Sequence, residues 1–211
     1  MKRIFFLAAV VITGVTASAQ KSPSGSGAGL GLKAGYNWSY VTADNAGISP
    51  KNKQGFMLGA FFGTTKKIGL GFRSEVIFSR QGYSFENGGK NSDVQNDYIY
   101  LPQLTTFNFG KRIQIQAGAQ IGFLLNSKLS NTQSKDSSII NFMNKFDYGF
   151  AGGIEVNPVK GVLVGARYNL GLGKLNKRME QSATQPYPLP FNPQTTDMKN
   201  GVIQFFVGYR F

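Results

Sequence analysis

The chain has 211 residues, a formal net charge of +13, and neither cysteine nor histidine. These absences exclude disulfides, thiolate or imidazole metal sites, cysteine nucleophiles and Ser-His-Asp triads, and they leave no general base with a pKa near neutrality. Only 16% of the residues are charged, whereas 27 are glycine and 18 are phenylalanine, which is unusual for a soluble enzyme. We predict a protein that is not an enzyme and has no cofactor, and the lack of a dense basic run argues against nucleic-acid binding.

The chain begins with the pattern of an export signal. Two basic residues precede an apolar run at 4–15, and Ala17-Ser18-Ala19 has the small-x-small pattern of a cleavage site. A retained anchoring helix is the alternative, but the run has about 12 residues where a bilayer-spanning helix needs about 20. We expect cleavage after Ala19, so that residues 1–19 are a signal peptide.

The mature chain is predicted to consist of strands. Residues 20–29 are rich in serine and glycine and are expected to be a flexible lead-in. After them, apolar and polar residues alternate with a period of two, which indicates β-structure. Eight strands are predicted, at residues 30–41, 55–64, 68–81, 97–109, 112–126, 146–156, 161–172 and 201–211. Most exceed the roughly 5–6 residues of soluble strands and reach the roughly 9–11 of tilted membrane strands.

The connections between these strands alternate in length. Short ones are predicted at residues 65–67, 110–111 and 157–160, and long polar ones at 42–53, 82–96, 127–145 and 173–200. Bacterial outer-membrane barrels have short periplasmic turns and long outer loops. The pattern therefore predicts a barrel with an even number of strands and both termini in the periplasm.

The alternation also predicts which face meets lipid. Backbone N–H and C=O groups cannot stay unpaired in hydrocarbon, so a membrane-spanning sheet has to close on itself. In the fifth predicted strand, Ile113 and Ile115 alternate with Gln114 and Gln116, and we expect the apolar face outside and the polar face in the lumen. A soluble, lipocalin-like barrel is the alternative, but it would have to bury the charged face. The predicted fold at 30–211 is all-β, an eight-stranded antiparallel up-and-down transmembrane β-barrel.

The sequence does not decide the phase of one strand or the role of the aromatic residues near strand ends. The strand at 97–109 has no clear phase, because Tyr98 and Tyr100 oppose Ile99 and Leu101. Aromatic residues near strand ends fit the girdles of membrane interfaces, although strand propensity alone also enriches them. They are Tyr36, Trp38, Tyr40, Phe78, Tyr83, Tyr98, Tyr100, Tyr209 and Phe211.

The polar face carries charges of both signs. The predicted lumenal charge cluster consists of Lys33, Arg73, Glu75, Asp147, Glu155, Arg167 and Arg210. Ion pairs among these groups would form a structural plug, and a selective pore is the alternative. Because eight strands leave an interior that side chains just fill, we favour the plug.

The last predicted strand ends the chain with a phenylalanine. Its alternate residues look like the C-terminal signal by which the insertion machinery recognises outer-membrane barrels: Phe205, Val207, Tyr209 and Phe211. This resemblance implies the insertion machinery as a partner.

Two segments carry short motifs: Gly31-Leu32-Lys33-Ala34-Gly35-Tyr36-Asn37 and Tyr100-Leu101-Pro102. They resemble the PorT-like outer-membrane β-barrel family of Bacteroidota, in which G-x-K-x-G-x-N and an I/L-P strand recur. The resemblance implies an eight-stranded outer-membrane barrel and, for some relatives, a link to protein secretion across the outer membrane. It implies no catalytic residues.

The long loops offer surfaces for lipid or protein partners. Three apolar residues of the proline-stiffened segment 186–193 are available to a partner or pack over the barrel mouth: Tyr187, Leu189 and Phe191. A short amphipathic turn at the membrane surface is predicted for Ile139, Ile140, Phe142 and Met143. Lysines that contact lipopolysaccharide phosphates, or are merely solvated, stand at 51, 53, 90, 128, 135, 174, 177 and 199.

The sequence thus predicts an exported, non-enzymatic protein of the bacterial outer membrane with a structural or interaction role. A component associated with protein secretion, implied only by the family resemblance, is one alternative. A narrow channel is the other.

Overall fold

The computed structural model describes residues 28–44, 50–64, 68–87, 90–110, 112–131, 134–178, 192 and 194–211. The predicted signal peptide, most of the lead-in and most of the proline-stiffened segment lie outside these ranges. Among these residues, no helix has the length and hydrophobicity of a membrane span.

The described part of the chain contains nine strands and one 3₁₀ turn. The strands are β1 (Ala28–Asp44), β2 (Lys51–Thr64), β3 (Gly69–Asn87), β4 (Lys90–Phe109), β5 (Ile113–Asn131), β6 (Ser134–Ser138), β7 (Phe146–Val156), β8 (Val162–Gly171) and β9 (Asp197–Arg210). The 3₁₀ turn spans Ile140–Phe142.

Of the strands that the structure describes, eight form a closed antiparallel ring in the order β1-β2-β3-β4-β5-β7-β8-β9, in which β9 pairs back to β1. The predicted fold class is confirmed. The short β6 pairs only with the last part of β5. We call the end where β1 begins and β9 ends the terminus end, and the opposite end the loop end. Gly110 and Gly161 have φ angles of 67° and 85° in two terminus-end turns, a conformation that favours glycine.

The outward face of the ring is apolar. Leu58 and Phe150 expose 59% and 57% of their surface. On β5, Ile113 points outward with 42% exposed, while Gln114 and Gln116 are buried at 1% each, as predicted. A soluble barrel would show the reverse arrangement, because it hides its apolar side chains.

Several strands continue past their predicted ends at the loop end. β3 runs to Asn87 and β4 starts at Lys90, so the long polar loop predicted at 82–96 is wrong. The two strands form one extended hairpin, whose connection lies outside the described residues. Beyond the bilayer a strand needs no lipid-facing apolar side, so the sequence alternation fades while backbone pairing continues.

The structure decides the phase of β4. Tyr98, Tyr100 and Leu104 are buried in the lumen, and Phe107 and Phe109 point outward. Every second residue of β4 is buried from Val94 to Asn108, and the register shift of the β4–β5 pair between Asp97 and Tyr98 comes from an extra residue of β5, Leu125. The sequence pattern alone gave no clear phase because both faces of this strand carry apolar residues, with Tyr98 and Tyr100 inward and Ile99 and Leu101 on the other face.

The structure differs from the predicted faces of the strands in two respects. Tyr83, Tyr98 and Tyr100 are buried at 0%, 1% and 5% exposure, so their predicted place in an interfacial girdle is wrong. The lumenal face is also not purely polar, because the rings of Phe61 and Phe206 are buried there, each 2% exposed.

Candidate functional site in the barrel interior

The terminus half of the lumen holds a set of connected charges. We call it the ion network; its members are Lys33, Arg73, Glu75, Glu155, Arg167 and Arg210. They come from β1, β3, β7, β8 and β9, at positions whose side chains alternate inward. Except for Arg210, at 20%, every side chain in the network is at most 1% exposed.

In one half of the ion network, Glu75 accepts hydrogen bonds from two cations. Lys33 Nζ lies 2.7 Å from Glu75 Oε2, and the two terminal nitrogens of Arg167 donate to Oε2 and Oε1 at 2.6 and 2.9 Å. Both cations lie over the ring of Phe206, with distances to the centroid of 4.6 and 5.5 Å. Because β3 and β8 are four positions apart in the eight-stranded ring, the Glu75–Arg167 pair joins opposite walls of the barrel.

Glu155 is the acceptor of the other half. Arg73 donates to its two oxygens at 2.5 and 3.0 Å, and Arg210 Nη2 lies 3.6 Å from Oε1. The two guanidinium carbons lie 4.6 and 5.6 Å from the ring centroid of Phe61. Each half thus combines two cations, one carboxylate and one aromatic face.

Gln116 links the halves, a role that the sequence prediction missed. Its Oε1 accepts from Arg167 Nη2 at 2.7 Å and from Arg73 Nη1 at 3.5 Å. Glycines leave room for the two rings: a Cβ at Gly31 would overlap Phe61, and one at Gly165 would come within 2.5 Å of Phe206 Cζ.

Asp147 does not join this network, which corrects its place in the predicted cluster. It faces the lumen, but it stands eight residues from Glu155 along β7, about 26 Å of extended strand. Its Oδ2 accepts from the hydroxyl of Tyr100 at 2.8 Å, and its Oδ1 accepts from the backbone N–H of Tyr148 at 2.8 Å. The alternation gave the correct face for Asp147, but only the shear of the barrel determines which lumenal groups share a level.

Neutral polar side chains occupy the middle of the lumen. Asn37 Nδ2 donates to Ser79 Oγ at 2.9 Å, and Gln204 Nε2 donates to Asn37 Oδ1 at 3.0 Å. Gln81 donates to Ser79 at 2.8 Å and accepts from Asn200. These hydrogen bonds connect β1, β3 and β9 without charge.

An apolar cluster fills the loop end. We call it the loop-end cluster and define it by Ile139, Met143, Leu175 and Met198, each at most 2% exposed. Its backbone is tied by a hydrogen bond from Leu175 N–H to the carbonyl of Met198 at 2.8 Å. The cluster packs with Tyr83, Phe85, Val94 and Val41, while Ile140 and Phe142 are partly buried against it.

The turn at 139–143 is therefore not the predicted amphipathic element at the membrane surface. Ile139 and Met143 are buried in the loop-end cluster, and Ile140 and Phe142 are partly buried against it. The preceding hairpin returns the chain over the mouth, where Ile139 N–H donates to the carbonyl of Ser127 at 2.9 Å. Packing against the strand extensions buries these side chains more completely than lipid contact would.

The model of one protein family, the outer membrane protein beta-barrel domain, matches residues 18–177. The chain belongs to this family. Its fold is similar to that of Ail, the attachment invasion locus protein of Yersinia pestis, with 20% identity, a TM-score of 0.50, and coverage of 87% of this chain and 98% of Ail. It is also similar to Neisserial surface protein A, with 16% identity, a TM-score of 0.52, and coverage of 89% and 100%. No curated protein matches the sequence.

This outer membrane barrel carries an outward apolar band whose height is slightly below that of typical bacterial barrels. On β1 the exposed face is apolar from Leu30 to Trp38. Eight residue steps cover about 27 Å along the strand, or about 20 Å along the axis at a tilt of about 40°. Bacterial barrels have a band of about 25 Å. The ion network lies at the level of this band, and the loop-end cluster lies beyond it.

The four residues of the predicted insertion signal lie on the outward face of β9 and just after it. Phe205, Val207, Tyr209 and Phe211 are 50%, 57%, 50% and 71% exposed. They form a continuous strip at the terminus end of the apolar band.

Several of the predicted loop lysines have protein partners. Lys51 lies 3.7 Å from Glu86, Lys53 lies 3.6 Å from Asp93, and Lys177 Nζ donates to the carbonyl of Asn141 at 2.9 Å. Lys174 Nζ contacts Asp197 Oδ2 at 2.6 Å, and this hydrogen bond holds the pKa of Asp197 below its ordinary value.

Proposed function

We propose that this outer membrane barrel has a structural or interaction role, performs no catalysis, and has a lumen that is closed to solutes. The observation that carries the proposal is the ion network, whose Glu75–Arg167 pair bridges opposite walls at 2.6 Å. A direct contact across the bore leaves no straight passage for a hydrated ion at that level.

Two further features support a closed lumen. Eight strands give a bore that side chains just fill. The loop-end cluster adds a second, apolar barrier at the other mouth, and apolar constrictions oppose ion passage because water leaves them. The two barriers are chemically different, so no single ionic condition weakens both.

Planar-bilayer recording of the purified chain tests the proposal. We expect no steady conductance from the wild type and an increased current when both barriers are weakened, in the variant Glu75→Ala/Arg167→Ala/Ile139→Ala. The matched control is Lys174→Ala/Asp197→Ala/Ile139→Ala, which removes an ion pair at the loop end instead. Heat-modifiable gel mobility checks that each variant is folded. A steady current from the wild type would contradict the closed lumen and support the narrow channel.

The absence of catalysis is supported by the composition, which has no histidine and no cysteine. A Ser-Lys dyad is the remaining route to hydrolysis, and the lysine that lies buried in the lumen, Lys33, donates to the carboxylate of Glu75. Incubation of the folded barrel with phospholipid and peptide substrates is expected to release no product above that of a boiled sample.

A role associated with protein secretion is the second proposal, and it is supported by the PorT-like segments quoted above. The segment Gly31–Asn37 lies in β1, and Tyr100-Leu101-Pro102 lies in β4. Deletion of the gene should then change the set of secreted proteins, while an unchanged secretion profile would remove this proposal and leave the structural role intact.

We also propose that export and assembly use the two chain ends. Cleavage after Ala19 would give a mature protein that begins at Gln20, which N-terminal sequencing checks directly. The exposed strip on β9 supports recognition of the C terminus by the insertion machinery, and deletion of Phe211 should lower the folded fraction in the outer membrane. Phe109→Ala, which removes another outward ring that is 52% exposed, is the control.

The loop end is the proposed surface for lipopolysaccharide or protein partners. Its cations support this proposal, although the ion pairs of Lys51 and Lys53 reduce the free charge that they offer. Pull-down from native outer membranes with the folded barrel is the test; recovery of the barrel alone would count against a protein partner.

A further inference from the structure

The ion network is not electrically balanced. It contains four cations and two carboxylates, two cations for each carboxylate. Five of the six side chains are at most 1% exposed, so water screens them weakly. A net charge in such a site is costly unless a counterion compensates it.

Two buried N–H groups beside the network have no hydrogen-bond partner among the described residues. They are Gln116 Nε2 and Arg167 Nε. The amide of Gln116 cannot turn over to satisfy its nitrogen, because its Oε1 accepts from both Arg73 and Arg167. A flipped amide would point its own donors at two guanidinium groups.

The two groups are neighbours, because the amide and the guanidinium that carry them are joined by the 2.7 Å hydrogen bond. Water would satisfy both N–H groups, but it would leave the surplus charge uncompensated. A small anion satisfies the donors and the charge together.

We propose that the lumen binds a small inorganic monovalent anion such as chloride at Gln116 Nε2 and Arg167 Nε, as an internal counterion of the ion network. This inference rests on the closed lumen proposed above, since a water-filled bore would screen the surplus charge. Arg210, the member with a 20% exposed side chain, lies at the terminus end and marks the side from which the anion enters.

The test compares apparent unfolding temperatures of the full chain in detergent micelles, in sodium chloride and in sodium gluconate of equal ionic strength. Heat-modifiable gel mobility is the readout. The variant Gln116→Glu places a fixed negative charge at the site. The matched control Gln120→Glu places the same charge on the same strand and face, at a buried position four residues away from the network.

For the wild type we expect a saturable rise of the unfolding temperature with chloride. At a chloride concentration a hundred times the Kd, the ratio of folded to unfolded protein increases about a hundredfold. Gln116→Glu should lose the chloride response and unfold at a higher temperature than the wild type in gluconate. Gln120→Glu should keep the wild-type chloride response, whatever its absolute stability.

Equal unfolding temperatures of the wild type in chloride and gluconate would overturn the proposal, as would an unchanged chloride response in Gln116→Glu. Chloride-35 NMR of the wild type gives an answer that needs no variant: broadening that bromide competes away supports the site, and its absence overturns it. The planar-bilayer current reports whether the lumen is open, and the chloride response reports whether the anion site exists. The two measurements therefore distinguish an open lumen from an absent anion site.

Discussion

The two ends of the barrel interior are closed in different ways. At the terminus end, six charged side chains from regular strands meet across the bore, whereas at the loop end apolar side chains from the turn at 139–143 and the segment after β8 pack together. The ionic end depends on a few directional contacts with strict geometry, and the apolar end depends on buried area. Single changes should therefore have sharper effects on the first than on the second.

The largest effect is expected from Glu75→Ala. This substitution leaves Lys33 and Arg167 buried without their carboxylate, and breaking a buried ion pair costs about 3–5 kcal/mol. Urea unfolding in micelles, followed by the fluorescence of Trp38, gives the change in the free energy of unfolding. The control Glu86→Gln removes an exposed pair with Lys51 and should change it by at most about 1 kcal/mol. Similar values for the two variants would contradict the contrast between buried and exposed pairs.

At the loop end, Ile139→Ala should lower the free energy of unfolding by about 2–5 kcal/mol, because it leaves a cavity in a packed apolar cluster. The loss should be confined to this end, so planar-bilayer recording is expected to show no steady current while the ion network stays intact. Leu125→Ala, at a position 53% exposed on the outer face, is the control with a smaller loss. A current in Ile139→Ala would mean that the apolar end alone closes the bore.

Two arginine substitutions on the outward face of β1 test the depth of the ion network and of the loop-end cluster in the bilayer. Ala34→Arg, at the level of the ion network, should cost about 2–4 kcal/mol, as for a cation facing lipid near the midplane. Thr42→Arg lies on the same face beyond Trp38, near the loop-end cluster, and should cost close to nothing. Folding efficiency into lipid vesicles measures both, and equal costs would place the two regions at the same depth.

The smallest effect is expected from the exposed contact between Lys174 and Asp197. The hydrogen bond from Lys174 lowers the pKa of Asp197, so its stabilisation is present above the ordinary aspartate pKa of about 4 and is lost as pH falls through the lowered value. Carbon-13 NMR of the carboxyl group should show this low midpoint, and Lys174→Gln should raise it. An unchanged midpoint in the variant would show that the contact is not formed in solution.

Period-two alternation was sufficient to predict the strands that cross the bilayer and most of their inward residues. Arg73 and Glu75, two residues apart, were placed on one face by this rule alone. The rule failed where its physical basis ends: the hairpin at 82–96 lies beyond the apolar band and no longer needs an apolar face. It also gave no phase for β4, because the inward residues Tyr98 and Tyr100 are as apolar as their neighbours on the other face.

The period-two alternation predicted only some of the residues that form the ion network. The charged members of the ion network were identified by their types and faces, but Gln116, Phe61 and Phe206 were not. Nothing in the local sequence distinguishes Gln116 from Gln114 or Gln120, which share its face and strand. Its role arises from the level at which Arg73 and Arg167 reach it across the bore.

The sequence by itself determined that this protein is a closed, membrane-spanning sheet with lipid on its apolar face, because backbone pairing and alternation are local properties that each strand carries. Only the tertiary structure decided which inward groups meet. Ring closure and shear set the relative heights of distant strands, and those heights bring Glu75 to Arg167, leave Asp147 at the other end, and fold the turn at 139–143 over the barrel mouth.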